Sequence, residues 1–600
     1  MKRYLNTWAV ALFLMVLSMP ALAQGVKSKY NASFVRSAAR KLDRSVAMPV
    51  TRADRQIRVA DQGAFDALGN SIKAAVRGGA KTLEIVLAPG TYKYSEKHIN
   101  LTNLKDVSIR MTGNSAILLP VGTALPQGRR AEVLYTKTYL DAVTLQPVDL
   151  WSEMQWCDGL VEILDKNTKA CRLKVKDPSC LKNGKPARIH LTQSYDSASY
   201  PVDKVQGDYI YFTADDLTVV GDGYSVNQDY IDGQSYPRFK LFPETVTPTA
   251  PLYACETANF LTVGYSSFKD FQVSGIRFMG GKSGDYLIRM TSVPGKNIVF
   301  SDCEFAGIRT GVAYLENADD VTFIRNYFHD NYYYGISSTL LSSGTKILDN
   351  RFENNCFILR HSFCVKCVGT DFLISGNTFK NFCYGAVKIG YDYNLDMRQP
   401  SSGIVEYNEI WCDAEYNANP WKYTVMDGGA IYTATQSAGN IIRYNYIHDI
   451  PGMKSNRGIF LDDGSFNESV YGNVILRVMN SHCIDSRRVA GIEVSRRANS
   501  KVQRANVNNL IMYNVVDGTI RFVGREGEDN GCIKGVNYVL TGLGNQATDA
   551  RVSGIGKNES DLEIRPVGLS GNTIRVSSAD YKKLKKSPVW GYLKDFFTDK

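Results

Sequence analysis

Residues 321–355 read VTFIRNYFHDNYYYGISSTLLSSGTKILDNRFENN, and this stretch contains one short phrase twice. The phrase is an apolar residue, two variable residues, an Asn, one variable residue and a second apolar residue. Its first copy surrounds Asn326 and its second copy surrounds Asn350. Apolar residues that alternate with polar ones beside each Asn predict short β-strands that turn one face inward.

The phrase recurs from about residue 271 to residue 516. Its Asn position is occupied in turn by Ile276, Cys303, Asn326, Asn350, Asn377, Asn408, Asn445, Asn473 and Asn514. Successive positions lie 27, 23, 24, 27, 31, 37, 28 and 41 residues apart. The shortest spacings fit one coil of a β-helix, and the longer ones imply loops inserted between the strands of a coil.

Stacked coils bury a continuous apolar core that no single coil could bury. An Asn at a turn tolerates left-handed backbone and can hydrogen-bond the backbone or the Asn of the next coil. The Leu periodicity of a leucine-rich solenoid is missing, and a propeller needs blades of about 40 residues with four strands each. The predicted fold class is therefore all-β, a single-stranded right-handed parallel β-helix of the pectate-lyase-like type, with an inserted β-rich module.

The two ends of the chain and residues 121–250 depart from this pattern. Residues 121–250 are rich in β-formers, Gly, Asp and Tyr, and the repeat fades after about residue 545. The predicted segments are a signal peptide (1–23), a basic N-terminal extension (24–60), a β-helix cap with the first coils (61–120), the inserted β-rich module (121–250), the parallel β-helix with the candidate active site (251–545) and a C-terminal segment (546–600).

The N-terminus is typical of a secretory signal. Lys2 and Arg3 precede an apolar run over residues 8–17, and Ala21-Leu22-Ala23 supplies small residues for cleavage. The apolar run is shorter than the roughly 20 residues that a membrane-spanning helix needs. We expect a cleaved protein that begins at Gln24 and is periplasmic or secreted, without integral membrane contact.

The charge is mild and the cysteines are numerous. Lys and Arg exceed Asp and Glu by 70 − 60 = 10, and the one dense basic run, residues 582–586, is short, so no nucleic-acid partner is expected. Twelve Cys in an exported chain permit disulfides, although their pairing cannot be derived from sequence. Cys364 and Cys367 have zinc-knuckle spacing, but the absence of a second such pair favours buried cysteines of the helix interior.

An acidic column is the main candidate for chemistry. The strand before each Asn phrase often opens on Gly, and aligning those strands gives a fifth position occupied by Leu315, Thr339, Ile389, Thr433, Asp462 and Asp485. Asp463 directly follows Asp462. Carboxylates on adjacent parallel strands lie about 4.8 Å apart and repel, so one of them holds its proton to higher pH. A protonated acid beside an ionised carboxylate is what glycoside hydrolysis requires, whereas an acidic turn ladder that holds calcium or caps backbone amides is the structural alternative.

Two further groups of residues surround this column. Asp427 lies one coil earlier and can join the site only if the backbone turns at Gly428 and Gly429. Lys388 and Tyr432 share the fourth strand position in successive coils, where they either line a groove or form ordinary outward surface.

Other charged and aromatic residues have both a functional and a structural interpretation. Arg457 and Arg487 flank the column and could bind substrate or pair with its acids. Trp421 offers an aromatic face that suits stacking on a sugar ring, or it anchors its loop. The pairs His329-Asp330 and His448-Asp449 occupy the same position of the repeat, which indicates turn structure rather than a catalytic dyad.

Two phrases carry a family resemblance. They are Asp427-Gly-Gly-Ala-Ile-Tyr432 and Gly458-Ile-Phe-Leu-Asp462-Asp463-Gly464-Ser465, with Val470-Tyr-Gly-Asn473-Val474 after the second. Over about residues 270–520 the chain resembles the β-helical glycoside hydrolases of family one hundred forty-one, which includes α-L-fucosidases and xylanases that act on plant polysaccharides. The resemblance implies a catalytic pair formed by Asp427 with Asp462 or Asp463, whereas the coil alignment makes Asp485 the partner of Asp462 or Asp463.

Three functions remain open at this point. The first is a glycoside hydrolase that cleaves a complex polysaccharide with two Asp residues and no cofactor. The second is a polysaccharide lyase that abstracts the C5 proton of a uronate with Lys388 or a nearby Arg as base, and calcium is expected only in that case. The third is a non-catalytic glycan-binding solenoid. All three predict a poly- or oligosaccharide partner, and none fixes the oligomeric state.

Overall fold

The structure of the 600-residue chain is a computed structural model. It describes residues 40–48, 52–121, 155–175, 186–192, 197–213, 229–231, 234–236, 238–243, 259–281, 286–308, 311–331, 334–356, 362–382, 384–390, 401–414, 428–434, 439–450, 457–462, 465, 467–478, 490–495, 509–512, 514–517, 520–523, 533–534, 538–540, 574–576, 582, 585–586 and 597–599.

Three stacks of parallel strands wind around one apolar interior, which confirms the predicted fold class. Sheet 1 contains Arg55–Val59, Thr82–Leu87, Lys105–Pro120, Ser267–Gly281, Ile298–Ser301, Val321–Ile324, Lys346–Leu348, Thr370–Ser375, Ser402–Glu406, Ile441–Arg443, Ser469–Tyr471, Leu510–Met512 and Ile533–Lys534.

Sheet 2 shares the two long strands, Lys105–Pro120 and Ser267–Gly281, with sheet 1. Its other strands are Gly90–Tyr94, Glu304–Ile308, Tyr327–His329, Arg351–Asn355, Thr378–Phe382, Glu409–Trp411, Tyr446–His448, Val474–Leu476, Val515–Asp517 and Tyr538–Leu540. Sheet 3 contains Ile99–Thr102, Leu261–Gly264, Tyr286–Val293, Gly311–Ala318, Ile336–Ser338, Phe363–Cys367, Gly385–Ile389, Gly429–Thr433, Arg457–Leu461, Ala490–Ser495 and Ile520–Val523.

The interior is built from like residues stacked coil on coil. Phe278, Phe305, Phe328, Phe352 and Phe379 form one stack with ring centroids 4.5 to 5.0 Å apart, which is the distance between neighbouring strands. Each of these rings is at most 1% exposed. Because every coil repeats the pattern, burial continues along the axis although a single coil has no core of its own.

A buried asparagine ladder runs between sheets 1 and 2. The Nδ2 of each Asn donates to the Oδ1 of the next, at 2.9 to 3.0 Å, through Asn326, Asn350, Asn377, Asn408, Asn445, Asn473 and Asn514. The predicted contact between stacked Asn residues is thus confirmed. The left-handed residue, however, is the one before the Asn at the six ladder positions from Asn326 to Asn473, such as Arg325 at φ 55° and Tyr444 at φ 56°. Turning that residue leaves the Asn side chain aimed along the axis.

Two helices close the N-terminal end of the coil stack. Gln62–Asp66 begins at Asp61, whose side chain accepts a hydrogen bond from the Ala64 amide, and Leu68–Arg77 follows directly. Phe65, Leu68 and Ile72 are buried in the same core as the first coils. The helices therefore cover apolar edges that the first coil would otherwise expose to water.

The inserted module is a closed antiparallel barrel that lies in sequence between two strands of the helix. Its strands are Gln155–Asp165, Ala170–Val175, Pro186–Thr192, Ser197–Gln206, Tyr209–Thr213 and Arg238–Pro243. The hairpin Asp229–Ile231 with Gln234–Tyr236 lies in the same stretch of chain, and near the C-terminus Ile574–Val576 pairs in parallel with Phe597–Asp599. Because the barrel is closed, it has no unpaired edge strand, so the module does not need to pair with the strands of the β-helix.

Residues 40–48 lie along the outer side of sheet 1. Arg40 pairs with Asp371 at 3.1 Å, and Arg44 pairs with Asp349 at 2.8 Å. The Nζ of Lys346 donates to the carbonyl of Ser45 at 3.1 Å. These contacts attach residues 40–48 to two successive coils.

Candidate active site

The strand register of sheet 3 corrects the predicted acidic column. Leu461, and not Asp462, pairs with Thr433, so Asp462 is the first residue after its strand. Leu461 in turn pairs with Val494, because the strand that stacks on Arg457–Leu461 is Ala490–Ser495 and not a segment that opens at Ser481.

The physical reason for this register is the inward face of the strands. Ile431, Ile459 and Ile492 occupy one position of successive coils, and all three are fully buried. Aligning Gly429 with Gly458 would shift the register by one residue and turn Ile459 outward. The apolar residue therefore sets the register, and Gly opens strands at variable offsets.

The outer side of sheet 3 carries an aromatic cluster that is separate from the core. It consists of Phe363, Tyr384, Tyr432 and Phe460, together with Ala434. The Tyr432 ring lies 5.6 Å from that of Phe363 and 5.3 Å from that of Phe460, the latter edge-to-face at 81°. Each ring is at most 3% exposed. We call these five residues the outer aromatic cluster, and its packing holds the Tyr432 ring in place.

Asp462 lies at the edge of this cluster. Its Oδ2 accepts a hydrogen bond of 2.5 Å from the Tyr432 hydroxyl, and its backbone amide donates to the carbonyl of Thr433 at 2.8 Å. A hydrogen bond to a carboxylate is stronger and shorter than one between neutral groups. Asp462 is half-buried, and the hydrogen bond from Tyr432 orients its carboxyl group.

Lys388 supplies a positive charge beside the same tyrosine. It pairs in register with Tyr432, as predicted, and its Nζ lies 5.5 Å from the Tyr432 ring centroid and 5.7 Å from that of Phe363. Lys388 is only 5% exposed, so it is not ordinary outward surface. A desolvated cation over an aromatic face gains attraction from the ring quadrupole.

Arg457 pairs with an acid that sequence reasoning missed. Its Nη2 lies 2.8 Å from Oε1 of Glu493, and Arg521 binds the other oxygen of Glu493 through Nε at 2.9 Å. The guanidinium of Arg457 also stacks on Phe460, 3.9 Å from the ring centroid. The signal for Glu493 was present, because Gly491-Ile492-Glu493-Val494 has the same apolar spacing as Gly458-Ile459-Phe460-Leu461.

Several predicted site residues lie outside the described residues. They are Asp427, Asp463, Asp485, Trp421 and Arg487. The described members of the predicted set, Lys388, Tyr432, Arg457 and Asp462, come from three neighbouring strands of sheet 3 and the residue that follows one of them. Four residues separated by up to 74 positions in sequence (462 − 388) thus meet on one face of the helix.

The two His-Asp pairs belong to turns of sheet 2. Asp330 and Asp449 have left-handed backbone, at φ 52° and 53°, and each binds Nδ1 of the preceding His at 2.6 Å. Arg477 lies 2.6 Å from Oδ1 of Asp449. Burial raises the pKa of Asp449, but hydrogen bonds from Arg477 and His448 outweigh it and hold the pKa well below its usual range. The prediction of turn structure is confirmed.

The described part of the chain contains no cluster of three or more His, Cys, Asp or Glu side chains suited to a metal ion. Cys364 and Cys367 are buried in the apolar core, as predicted. No helix within the described ranges is long and apolar enough to cross a membrane.

Comparison with known proteins bears on the fold. Residues 255–399 match the family described as "Right handed beta helix region". No curated protein sequence matches the chain. One similar solved structure, titled "Glycoside hydrolase", shares 9% identity, with 81% of this chain and 96% of that chain covered and a TM-score of 0.47.

Two other solved structures are similar at lower scores. XylC in complex with xylose shares 10% identity over 77% of this chain and 86% of that chain, at a TM-score of 0.32. The A-module of the mannuronan C-5 epimerase AlgE6 of Azotobacter vinelandii shares 9% identity over 82% of this chain and 94% of that chain, at a TM-score of 0.30. The parallel sheets and the family match together show a right-handed parallel β-helix.

Proposed function

We propose that the protein is an exported glycoside hydrolase that cleaves a poly- or oligosaccharide on the outer side of sheet 3. The observation that carries the proposal is the Asp462 carboxyl group, half-buried and held at 2.5 Å by a tyrosine that is itself fixed in a buried cluster. Catalytic carboxylates need this kind of orientation, because small misplacements of a reacting group are costly.

Glycoside hydrolysis needs two carboxyl groups, one as acid and one as nucleophile or base. Asp462 takes the second role in this proposal, because the hydrogen bond donated by the Tyr432 hydroxyl orients its carboxylate, and a nucleophile or base needs a fixed orientation. The acid is then Asp427, Asp463 or Asp485. A separation near 5 Å from Asp462 would give a retaining enzyme, and one of roughly 6.5–9.5 Å an inverting enzyme.

The exposure of each predicted side chain limits which of them can contact a substrate. Tyr432 and Phe460 are 3% exposed and cannot stack on a sugar, so the outer aromatic cluster positions groups and does not bind glycan. Trp421 and Arg487 remain proposed substrate contacts. Arg457 is committed to Glu493 and Phe460, and we assign it a supporting role.

Digestion of a glycan panel with product analysis by mass tests the proposal. Asp462→Asn should abolish product formation while the thermal unfolding midpoint stays unchanged, and Asp66→Asn, an exposed acid on the capping helix, should behave as wild type. Asp427→Asn, Asp463→Asn and Asp485→Asn then identify the acid. Normal turnover in both Asp462→Asn and Asp463→Asn would refute the assignment, and glycan binding without product in every variant would indicate a binding solenoid.

A polysaccharide lyase is the second candidate, and Lys388 favours it. A desolvated lysine can act as a general base, and here its Nζ lies beside the Tyr432 ring. Lysis of a uronate glycan creates a carbon–carbon double bond that absorbs ultraviolet light, whereas hydrolysis creates none. Absorbance that rises with turnover and is lost in Lys388→Met would favour the lyase.

Export is part of the same proposal. If residues 1–23 are a signal peptide, the exported chain should begin at Gln24, which N-terminal sequencing of the periplasmic or secreted fraction would show. A chain that retains Met1 and stays in the cytoplasm would contradict it.

A further inference from the structure

Two buried cysteines meet where the chain passes from sheet 2 to sheet 3. Cys356 follows the strand Arg351–Asn355, and Cys364 lies in the strand Phe363–Cys367. Their sulfur atoms are 3.9 Å apart, and the two residues are 0% and 1% exposed. We propose that Cys356 and Cys364 form a disulfide that fastens this corner of the coil.

The backbone on both sides is held independently of the sulfur atoms. The Cys356 amide donates to the carbonyl of Asn331 at 2.8 Å, and the Ser362 hydroxyl donates to the carbonyl of Cys356 at 3.3 Å. The strand that carries Cys364 pairs along its length with Gly385–Ile389. A disulfide needs sulfur atoms about 2.05 Å apart, so the two side chains must still turn toward each other for the bond to form.

Other interior cysteines have surroundings that differ. The Cys303 thiol lies 3.3 Å from the carbonyl of Ser301, and burial raises the pKa of Cys303 to about 12. Burial likewise raises the pKa of Cys367 to about 12, against a hydrogen bond with Ser338 that lowers it. Such thiols stay protonated and behave as small apolar side chains. Among the cysteines that the structure describes, Cys356 and Cys364 are a pair whose sulfur atoms contact each other, at 3.9 Å.

The bond forms by thiol–disulfide exchange with a disulfide oxidant such as oxidised glutathione. One cysteine thiolate attacks a sulfur of the oxidant, which forms a mixed disulfide and releases one thiol. The second cysteine thiolate then attacks the cysteine sulfur of the mixed disulfide and displaces the other half of the oxidant as a second thiol. The two cysteines lose two protons and two electrons, and the oxidant disulfide becomes two thiols. Because both sulfur atoms are buried in the folded chain, the exchange takes place during folding, while the coil is still open.

The cross-link has a consequence for the candidate active site, and only this step rests on the proposed function. Phe363 precedes Cys364 and belongs to the outer aromatic cluster, where its ring lies 5.6 Å from that of Tyr432. Fixing Cys364 fixes the start of this strand and therefore the wall against which Tyr432 packs. The disulfide would be a positioning device for the tyrosine that holds Asp462.

Peptide mapping tests the bond without any activity measurement. The full chain from Gln24 is folded once with a mixture of oxidised and reduced glutathione and once with dithiothreitol, then alkylated and digested without reduction. We expect a peptide pair joined through Cys356 and Cys364 only in the first sample. Alkylation of both residues as thiols in that sample, or a link from either to another cysteine, would overturn the proposal.

Thermal unfolding gives a second measurement with a matched control. The sample with the bond should unfold at a midpoint several degrees higher, because the bond restricts the unfolded chain. Cys356→Ala and Cys364→Ala should each remove this difference, whereas Cys412→Ala, equally buried, should keep it. A difference that persists in both variants would also refute the assignment, and the wild-type peptide map decides the matter if either variant fails to fold.

Discussion

The asparagine ladder should be a main source of stability, and Asn377 is the position to test. Its Nδ2 donates to the carbonyl of Ile347 at 2.8 Å and to Oδ1 of Asn408 at 2.9 Å. Its Oδ1 accepts from the backbone amide of Asn350 at 2.9 Å and from Nδ2 of Asn350 at 3.0 Å. Asn377 is 1% exposed, so water cannot replace these partners without opening the coil.

Asn377→Ala removes these four hydrogen bonds and leaves a backbone amide and a backbone carbonyl without this partner. A buried hydrogen bond contributes about 1 kcal/mol net, and an unsatisfied buried group costs about 1–3 kcal/mol. The lost hydrogen bonds and the unsatisfied groups involve the same atoms, so the two energies cannot simply be added. We therefore expect the free energy of unfolding to fall by about 3–5 kcal/mol. Asn167→Ala, on an exposed turn of the barrel, should change it by less than about 0.5 kcal/mol.

The variant Asn377→Asp distinguishes the role of Asn377 as a hydrogen-bond acceptor from its role as a donor. The aspartate keeps an acceptor for the Asn350 amide but loses both donors and, when ionised, faces the carbonyl of Ile347. Burial and these acceptors raise the pKa of an acid placed here, so the folded state binds its proton more tightly than the unfolded state. The destabilisation should therefore grow as pH rises above the unfolded value of about 3.9.

Urea unfolding followed by circular dichroism, at several pH values, measures both variants. The reasoning would be refuted if Asn377→Ala moved the midpoint no further than Asn167→Ala. A destabilisation by Asn377→Asp that does not vary with pH would show that the buried side chain is hydrated.

Three further predictions concern charged and polar groups. Tyr432→Phe removes one hydrogen bond to the Asp462 carboxyl group and should lower kcat of the proposed hydrolase by about 10- to 100-fold, with little change in the unfolding midpoint; an unchanged kcat would show that the bond does not position Asp462. Burial raises the pKa of Glu304, but hydrogen bonds from His329 and Arg277 outweigh it and bring the pKa from 4.5 to about 2. Because the folded state lowers this pKa, the ionised Glu304 stabilises the fold above pH 4.5, and that stabilisation is lost as pH falls through about 2. Glu304→Gln should therefore lower the free energy of unfolding by about 2–3 kcal/mol at pH 6 and by almost nothing at pH 2, as measured by acid-unfolding curves. A loss that is the same at both pH values would contradict this. Glu493→Gln and Arg457→Met should each cost about 3–5 kcal/mol in urea unfolding while the double variant costs less than their sum, and strict additivity would refute the pairing.

Much of the fold follows from a period in the sequence. Because side chains must alternate in a strand and like residues must stack in successive coils, the recurring Asn positions alone predict the ladder from Asn326 to Asn514. The left-handed residue was placed one position too late. The left-handed residue before the Asn differs in type from coil to coil, for example Arg325 and Tyr444, so no residue type in the sequence identifies this position.

The candidate site could be predicted only in part, for reasons of register. Lys388 and Tyr432 were placed correctly because both their strands open on Gly at the same offset from the inward Val387 and Ile431. Gly458 lies one residue closer to its inward Ile459, and an alignment on Gly therefore moved Asp462 into the strand. The apolar spacing could place Glu493 on the outer face one coil after Phe460, but interactions between outer side chains leave no period, so its pairing with Arg457 could not be derived.

The outer side of sheet 3 changes character along the axis, and this change supports a functional site. In an early coil Arg289 and Glu316 lie 3.6 Å apart with side chains 44% and 40% exposed, an ion pair that costs little to form. In later coils the ion pair of Arg457 with Glu493 is only 6% and 3% exposed.

Removing such groups from water costs several kcal/mol per ion, and well-packed apolar residues would often stabilise the same position better. Stability alone therefore favours apolar residues where Lys388, Arg457 and Glu493 lie. These charged residues lie there in spite of that cost, on the same face as the oriented Asp462. Such an arrangement is typical of a functional site. Replacing Arg457, Glu493 and Arg521 together by apolar residues should consequently leave the helix as stable or more stable while lowering activity. Full activity in that triple variant would mean that the ion pairs serve folding specificity alone.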